Sequence, residues 1–464
     1  MMLTVHPVTR DLGVRAVPLF LGLLAACSSS ASTATEDSGS ARAPDARAAD
    51  AGGRGDVGSS NDAGRDAGGH VDATHPEDAA GNADAGHSED AGGSADAVPP
   101  EEGGQSIDAA HDAANLDSAP LDGGGATCAG ELCYAGETCV DGGCELGGCN
   151  GVTVPGDYAT IQSAVTALAG AGGGTICLAA QAYAESVSVT AGSFTLQGVD
   201  RKRSTLNNLG VQASSVTIIG MAIGTCVIDD FSLSDVAFTA KNAAILSGLA
   251  LSTGGSPNFS SIGSISLTLD AVDVGANPLG GQGGAISIDF GVYYLGPPLP
   301  SVTLSVTNSY FHGSSSDNPG LFIGGPPYED GYNAWNLTVT LENDTFDGVG
   351  VLDSFSPGTN PASTSTLTVT NTLFVNAPLA LSSQATTTDS YDGFYGNTTN
   401  FAGVVIPGAK LVTGNPSLDT STPPGLLAGS PDRGAGNPAG APAHDFYGRP
   451  RSASVDIGAV QSSP

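Results

Sequence analysis

Residues 152–189 read VTVPGDYATIQSAVTALAGAGGGTICLAAQAYAESVSV, and this stretch decides the fold. Two periodicities meet in it. In DYATIQSAVTALAGA (157–171), Ile161, Val165 and Leu168 fall at i, i+4 and i+7, one face of an amphipathic helix with Asp157 as its expected N-cap. Beyond it, helical spacing stops and short runs of Val, Ile, Thr and Ser take over, punctuated by Gly, Asn and Pro. One short helix is therefore predicted at the head of an otherwise all-β domain.

The β-rich runs repeat. An apolar run ends at Asn or Asp, and two or three residues later an apolar or aromatic side chain follows. This happens at Asp235, Asp270, Asn308, Asn343, Asn371 and, less clearly, Asp392, at spacings of 35, 38, 35, 28 and 21 residues. Asn and Asp suit sharp turns because their short polar side chains tolerate the left-handed conformation. Periods of this size indicate stacked units, here a β-solenoid with coils of roughly 20–25 residues plus variable loops. A β-sandwich is the structural rival, but its hairpin signals are scarce: Asn150-Gly151 is the only Asn-Gly turn.

Toward the N-terminus the composition changes abruptly. Residues 28–126 hold 20 acidic side chains against Arg42, Arg47, Arg54 and Arg65, no aromatic residue, and a recurring Asp-Ala-Gly triplet. Such a segment cannot bury enough apolar surface to offset its ordering entropy, so 27–126 is expected to be a disordered tether. Its histidines (His70, His75, His87, His111) read as solvated linker residues ahead of a metal-capturing tract. Before it, Arg10 and Arg15 precede the apolar run AVPLFLGLLAA (16–26), a secretory signal too short to span a membrane. Leu24-Ala25-Ala26-Cys27 resembles the bacterial lipobox, which implies that Cys27 becomes a lipid-modified first residue. The expectation is an exported bacterial lipoprotein at the outer membrane or cell surface, touching the membrane through its anchor alone.

Four cysteines, Cys128, Cys133, Cys139 and Cys144, lie in CAGELCYAGETCVDGGC (128–144). In an exported chain they read as a disulfide-stapled module over 127–149, with a zinc site as the alternative; their connectivity stays open. Cys149 and Cys177 flank the opening of the next domain and are expected to bridge. Cys226 is left over and reads as a buried free thiol.

The segment VPGDYATIQSAVTALAG…GGTICLAAQAYAESVSV resembles the entry of right-handed parallel β-helix proteins of the pectate-lyase-like superfamily, with Tyr183 and Glu185 matching its first coil. A second segment, SPDRGAGNP…DFYGRPRSASVDIGAVQ, is similar to the closing segment of secreted β-helix proteins labelled choice-of-anchor Q; Ser430-Pro431, Asp445, Gly448, Arg451 (with Arg449 nearby) and Asp456-Ile457-Gly458-Ala459 carry the match. The resemblances imply a right-handed parallel β-helix over 150–415, capped by a short N-terminal helix and followed by a closing segment over 416–464.

Function is less legible. Superfamily members that cut polygalacturonate use Ca²⁺ and a basic residue, yet no Lys or Arg falls between 242 and 409. The domain's net charge, about −14, would repel a polyuronate and excludes nucleic acid as a partner. Hydrolysis requires two carboxylates flanking a bond. The weak catalytic candidates are Asp229, Asp230 and His312, all read first as turn residues. Insertions at 275–284, 291–300, 324–335 and 355–362 concentrate Tyr293, Tyr294, Tyr328, Tyr332 and Trp335, with Glu329 and Asp330 nearby. Aromatic faces stack sugar rings and carboxylates accept their hydroxyls, so these residues are the candidate ligand-binding set. The expectation is a monomeric, non-catalytic carbohydrate-binding or adhesive module with no cofactor or metal. The alternatives are a glycoside hydrolase or lyase and a structural spacer.

Overall fold

The computed structural model describes residues 127–462, apart from positions 130, 135 and 213 and the segments 230–234, 253–263, 276–284, 290–300, 314–318, 325–335 and 355–363. The expected signal peptide, Cys27 and the tether lie outside the described residues.

From Val152 onward the chain is a parallel β-helix. Each full coil has three strands, as in Ile265–Asp270, Asp273–Gly275 and Ile286–Asp289, and each strand pairs in parallel with its counterparts in the coils on either side. The first strands of successive coils form a ten-stranded sheet running from Val152–Val154 to Thr386–Ser390. The second and third strands share a fifteen-stranded sheet, because in the early coils one strand runs through both positions: Ala222–Asp229 pairs with Ala244–Ile245 and also with Leu249–Ser252.

Inward residues alternate with outward ones, so each interior position becomes a column along the axis. Val302, Leu304 and Val306 stack on Leu337, Val339 and Leu341 one coil on, all fully buried. On the second face Phe311, Phe346, Phe374 and Phe394 stack with centroids 4.4–5.2 Å apart and planes within 15°. Burial of each such ring contributes about 1.5–3 kcal/mol. Cys226 sits in this core, its thiol pushed up by burial.

The corner after the first strand is where sequence and structure agree only in part. Asn242, Asn308, Asn343 and Asn371 adopt the left-handed conformation with φ of 46–56°. In the coils marked by Asp270 and Asp392 the turn is instead made by Ala271 and Tyr391, and Asp235 lies outside the turn. The displaced Asp392 has another task. Its carboxylate accepts from Thr372 N at 2.6 Å and Ser390 N at 3.1 Å, tying two coils together. Asp344 does the same for Ser309 N and Glu342 N.

The entry helix α1 spans Ile161–Ala169 and packs Ile161, Ala164 and Val165 onto the first coil. Its N-cap is Thr160, in a capping box with Ser163, rather than Asp157. Asp157 accepts from the Thr153 N–H at 2.9 Å, which holds the approach turn. The motif residues explain themselves: Glu185 accepts from Ile161 N at 2.9 Å and Gln162 N at 3.2 Å, placing a carboxylate at the helix N-terminus, and Tyr183 donates to Val154 O at 2.6 Å.

Disulfides join Cys128 to Cys139, Cys133 to Cys144 and Cys149 to Cys177. The Cys-rich module is docked on the flank of the β-helix: Leu146 N donates to Val199 O at 2.8 Å, and Arg203 bonds both Glu145 and Asp200. The C-terminal segment covers the last coil at Val412 and Leu426, then runs back along the same flank as a strap. Within the strap Arg449 is the partner of Asp445, at 2.6 Å, whereas Arg451 reaches across to Asn308 Oδ1 at 2.7 Å.

What the strap holds is the row of turn asparagines. Asn343 donates to Asp456 O at 3.0 Å, and Asn371 donates to Asn437 O while accepting from Asn437 N. Farther up the row Asn242 donates to Glu137 of the Cys-rich module at 3.2 Å. A residue chosen for its turn conformation thus also supplies the side chain that fastens two terminal segments.

Candidate functional site

The loop-bearing corner follows the third strand of each coil. Asp229, Ser252, Asp289 and Gly324 form one file across four successive coils, each in register with the next. Segments 253–263, 290–300 and 325–335 leave just beyond this file, and 355–363 follows the third strand of the next coil, Val351–Asp353. These four segments therefore depart from one corner in consecutive coils, at steps of about 4.8 Å, whereas the expected insertion at 275–284 follows the second strand Asp273–Gly275. Tyr293 and Tyr294 belong to one of them and Tyr328, Tyr332 and Trp335 to the next; all five, with Glu329 and Asp330, lie outside the described residues. Asp230 lies outside as well. Asp229 is described as a strand residue only.

Register nevertheless brings Asp229 and Asp289 together in a way their separation of 60 residues conceals. They occupy one file two coils apart, about 10 Å between backbones. A further carboxylate, Asp353, is buried two coils beyond Asp289 and accepts from Ser383 Oγ at 2.6 Å.

His312 stands elsewhere, at the end of the second strand Tyr310–His312 and not in a turn. Its ring stacks on Tyr310, centroids 4.9 Å apart and planes 15° from parallel, and its Nε2 lies 3.1 Å from Asp273 Oδ1. Register explains the meeting: Asp273 pairs with Tyr310 and Gly275 with His312, so Asp273 and His312 are diagonal neighbours, with only a glycine opposite the ring. The bond to Asp273 raises the His312 pKa against the opposing effect of burial. One coil on, Asp347 accepts from Asn376 Nδ2 at 3.0 Å and from the Tyr310 hydroxyl at 3.5 Å. Asp273 and Asp347 escaped sequence reasoning because each is an ordinary post-turn residue until the coils stack.

Among the described residues one group has metal-like convergence, Cys133, Glu137 and Cys144. Its two sulfurs are bonded to each other, which leaves no thiolate for an ion. Glu137 instead accepts from Tyr134 N at 2.8 Å and from Asn242.

A scan against protein-family models finds no match, and a search of curated proteins finds none either, so the geometry above stands as the basis for a functional reading.

Proposed function

We propose that this chain is an exported, lipid-anchored surface protein of the pectate-lyase-like type whose β-helix binds carbohydrate, or adheres through it, without cutting it. One observation supports this reading: the segments after Asp289 and Gly324, which are paired neighbours in one file, leave one corner in consecutive coils, and their sequences hold Tyr293, Tyr294, Tyr328, Tyr332 and Trp335. Aromatic faces stack on sugar rings, and segments anchored on adjacent rungs of a stiff stack start close together, which lowers the ordering cost of binding. The tether of 27–126 would carry the domain away from the membrane, and the closing segment is of the choice-of-anchor Q type.

A second reading, a glycoside hydrolase or lyase, draws support from the file shared by Asp229 and Asp289. Their backbone separation is near the carboxylate spacing of inverting glycosidases.

A glycan-array screen of the purified chain, with reducing-end release assayed on every hit, separates the two. Binding without release, abolished in Trp335→Ala/Tyr332→Ala, supports the binding module. Release that is lost in Asp229→Asn or Asp289→Asn establishes a glycosidase instead. A silent array leaves a structural spacer.

A further inference from the structure

The outward face of the ten-stranded sheet carries an order of its own. On the strand Asn336–Glu342, Thr338 and Thr340 point outward between buried Leu337, Val339 and Leu341. Register repeats this Thr-x-Thr pattern along the axis. From Thr195 to Thr388 every coil places Ser or Thr at the position of Thr340. From Ser193 to Thr386 every coil does so at the position of Thr338, Ala237 alone excepted.

The result is two parallel files of hydroxyls over eight coils, roughly 34 Å long, with about 4.8 Å between rungs and about 6.7 Å between files. No residue in either file is charged, in a chain with 47 acidic residues. Neither file contains an aromatic residue. Strand propensity accounts for Thr at such positions but equally favours Val, Ile and Tyr, and solvation favours Lys and Glu; none of these appears. The hydroxyls are also unspent. Among the described residues only Thr366 gives its hydroxyl to a protein carbonyl, Leu337 O at 3.5 Å. The interior columns beneath are fully buried and in register, which keeps the face stiff.

We propose that this face binds ice. The spacing in both directions is close to that of the oxygen rows on the prism faces of hexagonal ice. Each Ser or Thr can place a hydroxyl at a lattice oxygen, and each Thr methyl can lie in the gap between rows. A charged side chain would keep its own hydration shell and break the match; the two files hold none, and Lys241, Asp270 and Glu342 stand in the next outward file beyond them. A crystalline glycan is the rival periodic surface, but the flat rings that would stack on sugars are missing from this face. Because the array is rigid before contact, many individually weak contacts add up with little ordering cost.

The test uses the full chain and ice itself. Incorporation into a slowly growing ice hemisphere is measured beside serum albumin, and thermal hysteresis is read on single crystals. The chain should enter the ice and show a gap between melting and growth. Thr340→Tyr and, separately, Thr268→Tyr, which put a bulky ring in the middle of a file, should exclude the protein from ice while leaving the melting temperature unchanged. Thr399→Tyr, on another sheet, should behave as the parent chain does. Exclusion of the parent chain at the level of albumin overturns the proposal. So does incorporation of well-folded Thr340→Tyr and Thr268→Tyr at parental levels. Retention on crystalline cellulose or chitin that is lost in Thr340→Tyr, with no ice incorporation, replaces it by a glycan-surface role.

Discussion

The guanidinium of Arg201 lies 3.4 Å from the centroid of the Tyr134 ring. Phe446 flanks the same guanidinium at 4.5 Å, and Tyr447 stacks on Tyr134 at 5.5 Å. Three segments meet at this cation: the Cys-rich module, an early coil of the β-helix and the C-terminal strap. Arg201 is only 4% exposed, so its interaction with the rings is not screened by water. Removing the cation leaves a gap among rings that otherwise hold the two terminal segments to each other and to the stack.

Arg201→Ala should therefore loosen both ends. A desolvated cation–π contact is worth about 2 kcal/mol, and the lost packing of the side-chain stem adds to that. The expected result is a lower melting temperature together with faster amide exchange in 430–462. Unchanged exchange there would show that the Asn row holds the strap without this contact.

Asn371 combines two roles that substitution can separate. It holds φ at 56° and fastens the strap through Asn437. Asn371→Ala loses both, at about 1–2 kcal/mol for the left-handed backbone and about 1–3 kcal/mol for polar groups left buried. Asn371→Gly restores the conformation but not the bonds. Denaturant melts should rank the parent above Gly and Gly above Ala; equal Gly and Ala would mean that the turn conformation contributes nothing.

Asp432 is 1% exposed and neither carboxyl oxygen has a hydrogen-bond partner among the described residues. Burial, helped by the nearby Asp456 charge, pushes its pKa up to about 7. The folded state therefore holds this proton more tightly than the unfolded state does, where an Asp titrates near about 4. Its contribution to stability is complete below the unfolded value and is lost as pH rises through about 7. Asp432→Asn should remove that part of the pH dependence, visible as a flatter curve of melting temperature between about pH 4 and 7.

The His312–Asp273 pair makes a prediction about one proton. Because the bond to Asp273 raises the His312 pKa, Asp273→Asn should lower it, with burial left to dominate. Imidazole resonances followed by NMR through neutral pH read this directly. A His312 titration that does not move would mean that the 3.1 Å approach is not an ion pair in solution.

How much of this was legible in advance varies by residue. Ile161, Val165 and Leu168 announced a helix and the Val/Thr runs announced strands, because amphipathic period is a local property. The cysteine spacing announced a stapled module, but not which sulfurs meet, since several pairings satisfy the same spacing. Asp157 has the chemistry of a cap but lies too far upstream: Thr160 and Ser163 hold the first N–H groups, and Asp157 accepts from Thr153 instead. Asp235, Asp270 and Asp392 stand beside the turn and not at its apex, because an Asp next to the turn can serve the backbone as well as one within it; Asp392 does so by accepting from two coils.

The sequence by itself determined the class of this protein: short strands in a repeating coil, one entry helix, and disulfides before it, all set by periodicity and turn chemistry within some twenty residues. Only the tertiary structure decided which distant residues became neighbours. Coil length varies with the insertions, so a residue's neighbour one rung away lies 20 positions off at Thr366 and Thr386 but 37 at Ile265 and Val302. No fixed spacing could reveal that Asp273 meets His312, that Asp229 and Asp289 share a file, or that scattered threonines line up. Those relationships are set by hydrogen-bond register, and register is established when the buried columns of successive coils are packed against one another.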